Sequence, residues 1–137
     1  MSDPAVMAET MSEAIQTMVG DVLGLDEVVA DPDWEGYALL VNASDTEGRL
    51  WAYRYRDGHP PVPTPPLRDT SPVWRLREAT RGADGQAFEA FVLRIHRGLG
   101  QVATTFHHRD DADQWRVSDD SLGRIVEALR PTAAHFG

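Results

Sequence analysis

Cysteine is absent from this chain of 137 residues. Its absence excludes disulfide bonds, thiolate metal sites and a cysteine nucleophile, and it is compatible with a reducing compartment. Long apolar runs are lacking too, and the amino-terminal segment is acidic where a signal peptide needs basic residues followed by an apolar run. We therefore expect a cytoplasmic protein that does not associate with membranes.

Basic residues are few. The chain has 13 Lys and Arg residues against 22 Asp and Glu, which gives a formal net charge of −9. A field of this sign repels phosphate backbones and attracts basic surfaces. Nucleic acid is thus a poor partner, and a basic protein is a better one. Acidity can also serve solubility alone, and composition does not decide between these two roles.

Motifs for nucleotide binding and nucleophilic catalysis are missing as well. The glycine-rich stretches RGLGQ and RGADGQ lack the lysine that a phosphate-binding loop requires, and no serine lies in a G-x-S-x-G elbow. The histidines at 59, 96 and 135 are scattered, as surface or hydrogen-bonded histidines usually are. We predict no catalytic residue, no cofactor and no enzymatic activity.

The residues that are present predict one α+β domain over residues 1–137, with element order α-β-β-α-β-β-α. An apolar stripe from Met7 to Val22 predicts the first helix, with Thr10 and Glu13 as a capping box and Gly24 at its end. The strands GYALLVNAS and RLWAYRYR form the first hairpin. Antiparallel pairing of two such hairpins gives a sheet that packs against the helices.

The second half of the chain repeats the hairpin. The proline-rich segment DGHPPVPTPPLRD predicts a stiff loop, because proline cannot donate to a strand ladder. A short helix follows, with Ser71 as its cap, Pro72 in its first turn, and Val73 and Leu76 facing the sheet. The second hairpin spans residues 88–108. The last helix is predicted from SDDSLGRIVEALRP, with Ser118 as its cap.

Three aromatic residues share one face of the second strand: Trp51, Tyr53 and Tyr55. They either pack on a helix or form a patch for a partner. Both possibilities stay open at the level of sequence.

The stretch HHRDDAD holds the densest group of functional side chains. Imidazole and carboxylate groups so close together can bind a metal ion. However, adjacent residues on a strand point to opposite faces, so His107 and His108 cannot easily share one ion. The alternative, a solvated acidic loop, is the one that we favour, and we predict no metal.

The chain resembles the YezG-like immunity proteins, small acidic bacterial proteins that neutralise toxin domains of polymorphic secretion systems. The resemblance lies in the amino-terminal helix, in Trp34 shortly before the strand GYALLVNA, in the aromatic strand WAYRY and in the late stretch TTFHHRDDADQW. It implies a stoichiometric inhibitor whose acidic surface docks on a basic toxin, often a nuclease.

On this resemblance, a cognate basic toxin is the expected partner. The sequence also leaves a homodimer possible. The expected partner-binding residues are His108, Asp110, Asp111, Asp113 and Trp115, with Trp115 as an aromatic anchor or, equally, as a core residue. Two other functions remain open. One is a secretion-chaperone-like module that holds an effector segment; the other is a small domain that binds a ligand or metal through the late His/Asp cluster.

Overall fold

The computed structural model describes residues 4–30 and 32–136. Its centre is a five-stranded antiparallel sheet with the strand order β3-β2-β1-β4-β5. The strands are β1 (Gly36–Ala43), β2 (Gly48–Tyr55), β3 (Val62–Thr64), β4 (Ala90–His96) and β5 (Gln101–His107). The two hairpins predicted from the sequence are therefore β1–β2 and β4–β5, and they are joined through the pairing of β1 with β4.

Five α-helices surround the sheet in the part of the chain that the structure describes. They are α1 (Pro4–Leu23), α2 (Asp26–Val29), α3 (Ser71–Ala79), α4 (Arg109–Asp113) and α5 (Leu122–Leu129), and a 3₁₀ turn follows at Ala133–Phe136. None of them is long and apolar enough to cross a membrane. The α+β class predicted from the sequence is confirmed.

Both faces of the sheet are covered. On one face, called the α1 side here, Tyr37, Leu39, Phe91 and Leu93 pack against α1 and α3 in the larger core cluster. On the other, the α5 side, the alternating residues pack against α4, α5 and Trp115; they include Ala38, Leu40, Tyr53, Tyr55 and Val92. Because successive side chains point to opposite faces, two apolar cores require strands that are apolar throughout. The burial of β1 and β4 follows this rule.

The proline-rich segment is not wholly a loop, so that prediction is wrong for Val62–Thr64. These residues pair with β2 as a third, short strand, with Pro63 opposite Tyr53. Proline is accepted in a sheet at an edge, where its missing N–H can face away from the neighbour. The observed order therefore contains β3, and the short helices α2 and α4, in addition to the predicted elements.

Three predicted helix caps are also wrong. Helix α3 begins at Ser71 itself, and Thr70 stands at the cap position before it. Helix α1 already begins at Pro4, which places Thr10 and Glu13 inside the helix and not at its start. Helix α5 begins at Leu122, after a turn in which Ser118 accepts the N–H of Leu122 through its main-chain oxygen at 3.0 Å. The buried stripes were predicted correctly: Met18 and Val22 of α1, and Ile125 and Leu129 of α5, lie in the cores.

Candidate functional site

The candidate site is the acidic segment, defined as residues 108–120, which follows strand β5. His108 is still extended (φ −121°, ψ 144°) and stands at the start of α4. Arg109 next adopts a left-handed conformation (φ 50°), which is uncommon for a residue with a side chain. Its N–H donates to the Glu89 carboxylate at 2.8 Å, and this bond holds the sharp bend that turns the chain away from the sheet.

Three aspartates project from α4, and all three are exposed. The carboxylate of Asp111 contacts Nδ1 of His107 at 2.7 Å, and Asp113 forms an ion pair with Arg116. Asp110 and Asp111 lie in the first turn, where carboxylates are favoured by the free N–H groups of the helix end. Contacts within the chain therefore fix the positions of two of these exposed carboxylates, those of Asp111 and Asp113.

The base of the acidic segment is buried. Ala112 is fully buried and Trp115 is 8% exposed, both in the core on the α5 side. The Trp115 ring lies 5.4 Å from the His107 ring and 5.7 Å from the guanidinium carbon of Arg94. The sequence left open whether Trp115 anchors a partner or packs in the core, and the structure places it in the core.

Asn42, near the end of the central strand β1, fastens this base to the sheet. Its Nδ2 donates to the main-chain oxygen of Trp115 at 2.9 Å, and its Oδ1 accepts the N–H of Val117 at 3.0 Å. One side-chain amide therefore satisfies a carbonyl and an N–H group of the acidic segment together. This fixes the segment relative to the most central strand of the sheet.

Arg94 supports the same region from strand β4. It is 5% exposed, and its guanidinium donates to the carbonyl oxygens of Leu129 (3.1 Å) and Ala128 (2.9 Å) at the end of α5. A cation at this end of a helix is favoured by the helix dipole. Burial lowers the pKa of Arg94, although arginine stays charged at any physiological pH.

The aromatic face of β2 is directed toward the same core. The Tyr55 hydroxyl donates to the carbonyl oxygen of Val126 in α5 at 2.7 Å, and burial raises the pKa of Tyr55. Tyr53 is 9% exposed and Trp51 is partly buried against the same cluster. The three aromatic residues therefore share one face, as predicted, and of the two possibilities the structure shows packing on a helix.

A cleft of about 300 Å³ separates the acidic segment from the β1–β2 hairpin. Trp51, Glu89 and Arg116 contribute to its walls. Arg116 donates to Glu89 at 3.0 Å and also forms an ion pair with Asp113. Arg116 therefore links α4 to the residue that precedes β4.

The two histidines diverge, as their positions on a strand predict. The ring of His107 packs on Trp115 and contacts Thr105 as well as Asp111, whereas His108 is exposed. Within residues 4–30 and 32–136, no three His, Asp or Glu side chains are grouped so that they could hold a metal ion.

The residues that position the site were missed by sequence reasoning. These are Asn42, Glu89, Arg94 and Arg116. A signal existed for two of them, because Asn42 and Arg94 interrupt apolar strands, GYALLVNA and AFVLRIH. A polar group in a buried strand needs a hydrogen-bond partner, although the pattern does not say which one.

No family model matches this sequence, and no curated protein matches it.

Proposed function

We propose that this protein is a non-enzymatic, acidic protein-binding domain that neutralises a basic partner. In its specific form, the proposal is an immunity protein of the YezG-like kind, acting in the cytoplasm on a cognate toxin that is a nuclease. The observation that carries it is the acidic segment: exposed carboxylates on a short helix whose base is buried and hydrogen-bonded to the central strand.

The rigid base supports a binding role. A surface that is already ordered loses little conformational entropy when a partner docks, so more of the interaction energy appears as affinity. Asp111 and Asp113 are held by His107 and Arg116, and no ion pair within the described chain engages Asp110, Asp119 or Asp120. The last three carboxylates are thus available to cations of another protein, and Asp111 and Asp113 are exposed enough to contact a second partner as well as the one that each already holds.

Several basic side chains are bound within the molecule. The chain has no lysine, so its 13 basic residues are all arginine. Arg77 and Arg81 bind Asp45, which lowers the pKa of that carboxyl, while Arg94 and Arg130 bind main-chain carbonyls and Glu127 near the end of α5. Because acidic residues outnumber basic ones by 22 to 13, carboxylates remain in excess after these pairs form, which suits a basic partner and repels nucleic acid.

A nuclease toxin fits this surface because it must hold phosphate and is therefore basic around its active site. An acidic inhibitor is steered toward that site and then covers it. No catalytic group is required of the inhibitor. The expected contacts are Asp110, Asp111 and Asp113, with His108 at their edge and with Trp115 supporting them from below.

The test is capture of the partner followed by an activity assay. The tagged protein is incubated with lysate of its host, and co-purified proteins are identified by mass spectrometry. The proposal expects one basic protein at stoichiometric yield whose activity is silenced in the complex. A partner that binds only as an unfolded segment and has no activity to silence would favour the secretion-chaperone-like alternative. A rise in melting temperature with metals or metabolites would favour the ligand-binding alternative.

Charge reversal locates the contact. With the captured partner, Asp110→Lys combined with Asp111→Lys is expected to lower the association rate at low salt by about tenfold or more and to flatten its salt dependence. The matched control is Glu9→Lys with Glu13→Lys on the exposed surface of α1, which changes the net charge equally. Stopped-flow kinetics over a salt series measures both. Equal effects of the two double variants would show that only net charge matters and would remove the acidic segment from the interface.

A further inference from the structure

The free edge of the sheet is strand β5. It is the last strand in the sheet order, and its seven residues, QVATTFH, include no Lys, Arg, Asp, Glu or Pro. In an antiparallel strand, alternate residues direct their N–H and C=O groups away from the neighbouring strand. Proteins normally protect such an edge with charges, prolines or bulges. Among residues 4–30 and 32–136 no further strand pairs with β5.

The opposite edge is protected. Strand β3 has only three residues with Pro63 at its centre, and further prolines stand on both sides of it at 60, 61, 65 and 66. Proline cannot donate to a strand ladder, so another chain cannot extend the sheet there. The two edges of one sheet therefore differ in their ability to pair.

We propose that β5 pairs with β5 of a second copy of this chain, antiparallel and about a two-fold axis at Thr104, so that one sheet runs through a homodimer. Val102 and Phe106 lie on the same face of β5, because their partners in β4, Ile95 and Phe91, both belong to the core on the α1 side. The axis at Thr104 brings Val102 of each copy opposite Phe106 of the other.

This pairing covers exposed apolar surface. Val102 is 41% exposed, and Phe106 is only partly buried. A β-branched residue opposite an aromatic one is a favourable cross-strand pair, and the symmetry forms it twice. A second copy therefore fits this edge, because the two residues that pair across the axis, Val102 and Phe106, both belong to β5 itself.

The same side chains favour the antiparallel orientation. Antiparallel pairing about Thr104 sets Val102 of each copy opposite Phe106 of the other, whereas a symmetric parallel pairing would set Val102 opposite Val102 and form no such pair. The dimer requires no toxin, so its test is independent of the proposed function.

Cysteine cross-linking tests the axis. The chain contains no cysteine, so a disulfide can form only at an introduced one. Thr104→Cys is expected to give a covalent dimer under mild oxidation, because residues facing each other across an antiparallel pair lie within disulfide range. The matched control is Thr64→Cys on β3, another partly buried threonine on an edge strand, which is expected to stay monomeric on denaturing gels. Equal cross-linking of both variants overturns the proposal.

Sedimentation of the full chain tests the side-chain match. The wild-type protein is expected to be a dimer at high micromolar concentration, and Val102→Lys is expected to raise the dimer Kd about tenfold or more because the symmetry repeats the change. The control is Val62→Lys on β3, which is also 41% exposed, and it should leave Kd unchanged. Circular dichroism confirms that each variant is folded. A monomeric wild-type protein, or two lysine variants with equal effect, overturns the proposal.

Discussion

At the scale of single residues, Asn42 has the widest influence on the candidate site. Its amide forms two hydrogen bonds to the acidic segment, and both of the main-chain groups involved lie in partly buried positions. Asn42→Ala leaves these groups without partners. We expect the free energy of unfolding to fall by about 2–3 kcal/mol, as is typical when buried polar groups lose their hydrogen bonds. Urea unfolding at neutral pH measures the change.

The control for this prediction is Ser44→Ala, two residues further along and exposed. The Ser44 side chain bonds only within its own exposed turn, to Thr46 and Glu47. A loss below about 1 kcal/mol is therefore expected there. If Asn42→Ala were no more harmful than Ser44→Ala, Asn42 would not hold the acidic segment to the sheet.

Asp21 of α1 is a second residue with a specific task. Its carboxylate accepts three hydrogen bonds, from the N–H groups of Arg68 and Asp69 and from Nε of Arg68, and so fixes the chain that enters α3. Burial alone would raise the pKa of Asp21, but the hydrogen bond from the Arg68 side chain and those from the main chain outweigh it, and the pKa is lowered.

This lowered pKa gives a prediction with a definite sign. The charged carboxylate contributes stability at pH values above its unfolded pKa, near 4, and the contribution is lost as the pH falls through the lower folded pKa. We expect Asp21→Asn to lower the free energy of unfolding at pH 7 by about 1–3 kcal/mol, and the difference from wild type to shrink below about pH 4. Urea unfolding across a pH series measures it. A constant difference at all pH values would contradict this account.

At the scale of elements, the helices carry glycines that nothing in the fold requires. A Cβ atom added at Gly20 in α1 would have no neighbour within 4 Å. Gly20→Ala is therefore expected to raise the free energy of unfolding by about 0.5–1 kcal/mol, because alanine favours the helix and restricts the unfolded chain. Thermal and urea unfolding measure the gain.

Gly48, the first residue of β2, is the matched comparison. A Cβ atom there would lie 2.5 Å from the ring of Trp74. Because the ring is rigid and partly buried, Gly48→Ala is expected to destabilise the protein by about 1–3 kcal/mol. If Gly48→Ala stabilised the protein as Gly20→Ala is expected to do, the restriction of the unfolded chain and not the contact with Trp74 would dominate the effect.

The major elements could be predicted because their signals are local. Alternation of side chains identified the strands of both hairpins, and a spacing of three and four residues identified α1 and α5. The errors arose where tertiary context decides. Strand β3 forms because the free backbone groups of β2 can pair with it, and proline is tolerated there only because β3 lies at an edge of the sheet. The predicted helix starts at Thr10, Ser71 and Ser118 were wrong because several neighbouring residues could serve as caps.

At the scale of the whole molecule, the sequence identified the acidic stretch but not the hydrogen bonds that attach it to the sheet. Composition and local charge are enough to single out Asp110, Asp111 and Asp113. The contacts of Asn42 with Trp115 and Val117 span more than 70 residues of sequence. Such pairings depend on which strands become neighbours, and no local pattern of one sequence specifies them.

The proline-bordered strand β3 has a consequence for how large an assembly of this sheet can become. Filaments and amyloid-like stacks need two adhesive edges on every subunit, one to receive a neighbour and one to recruit the next. In the part of the chain that the structure describes, one edge of the sheet is closed by Pro63 and its neighbouring prolines, so the β5 pairing that we propose would occupy the other edge of each copy. Growth by strand addition would then stop at two subunits, and fibres would not form by this route even at high protein concentration.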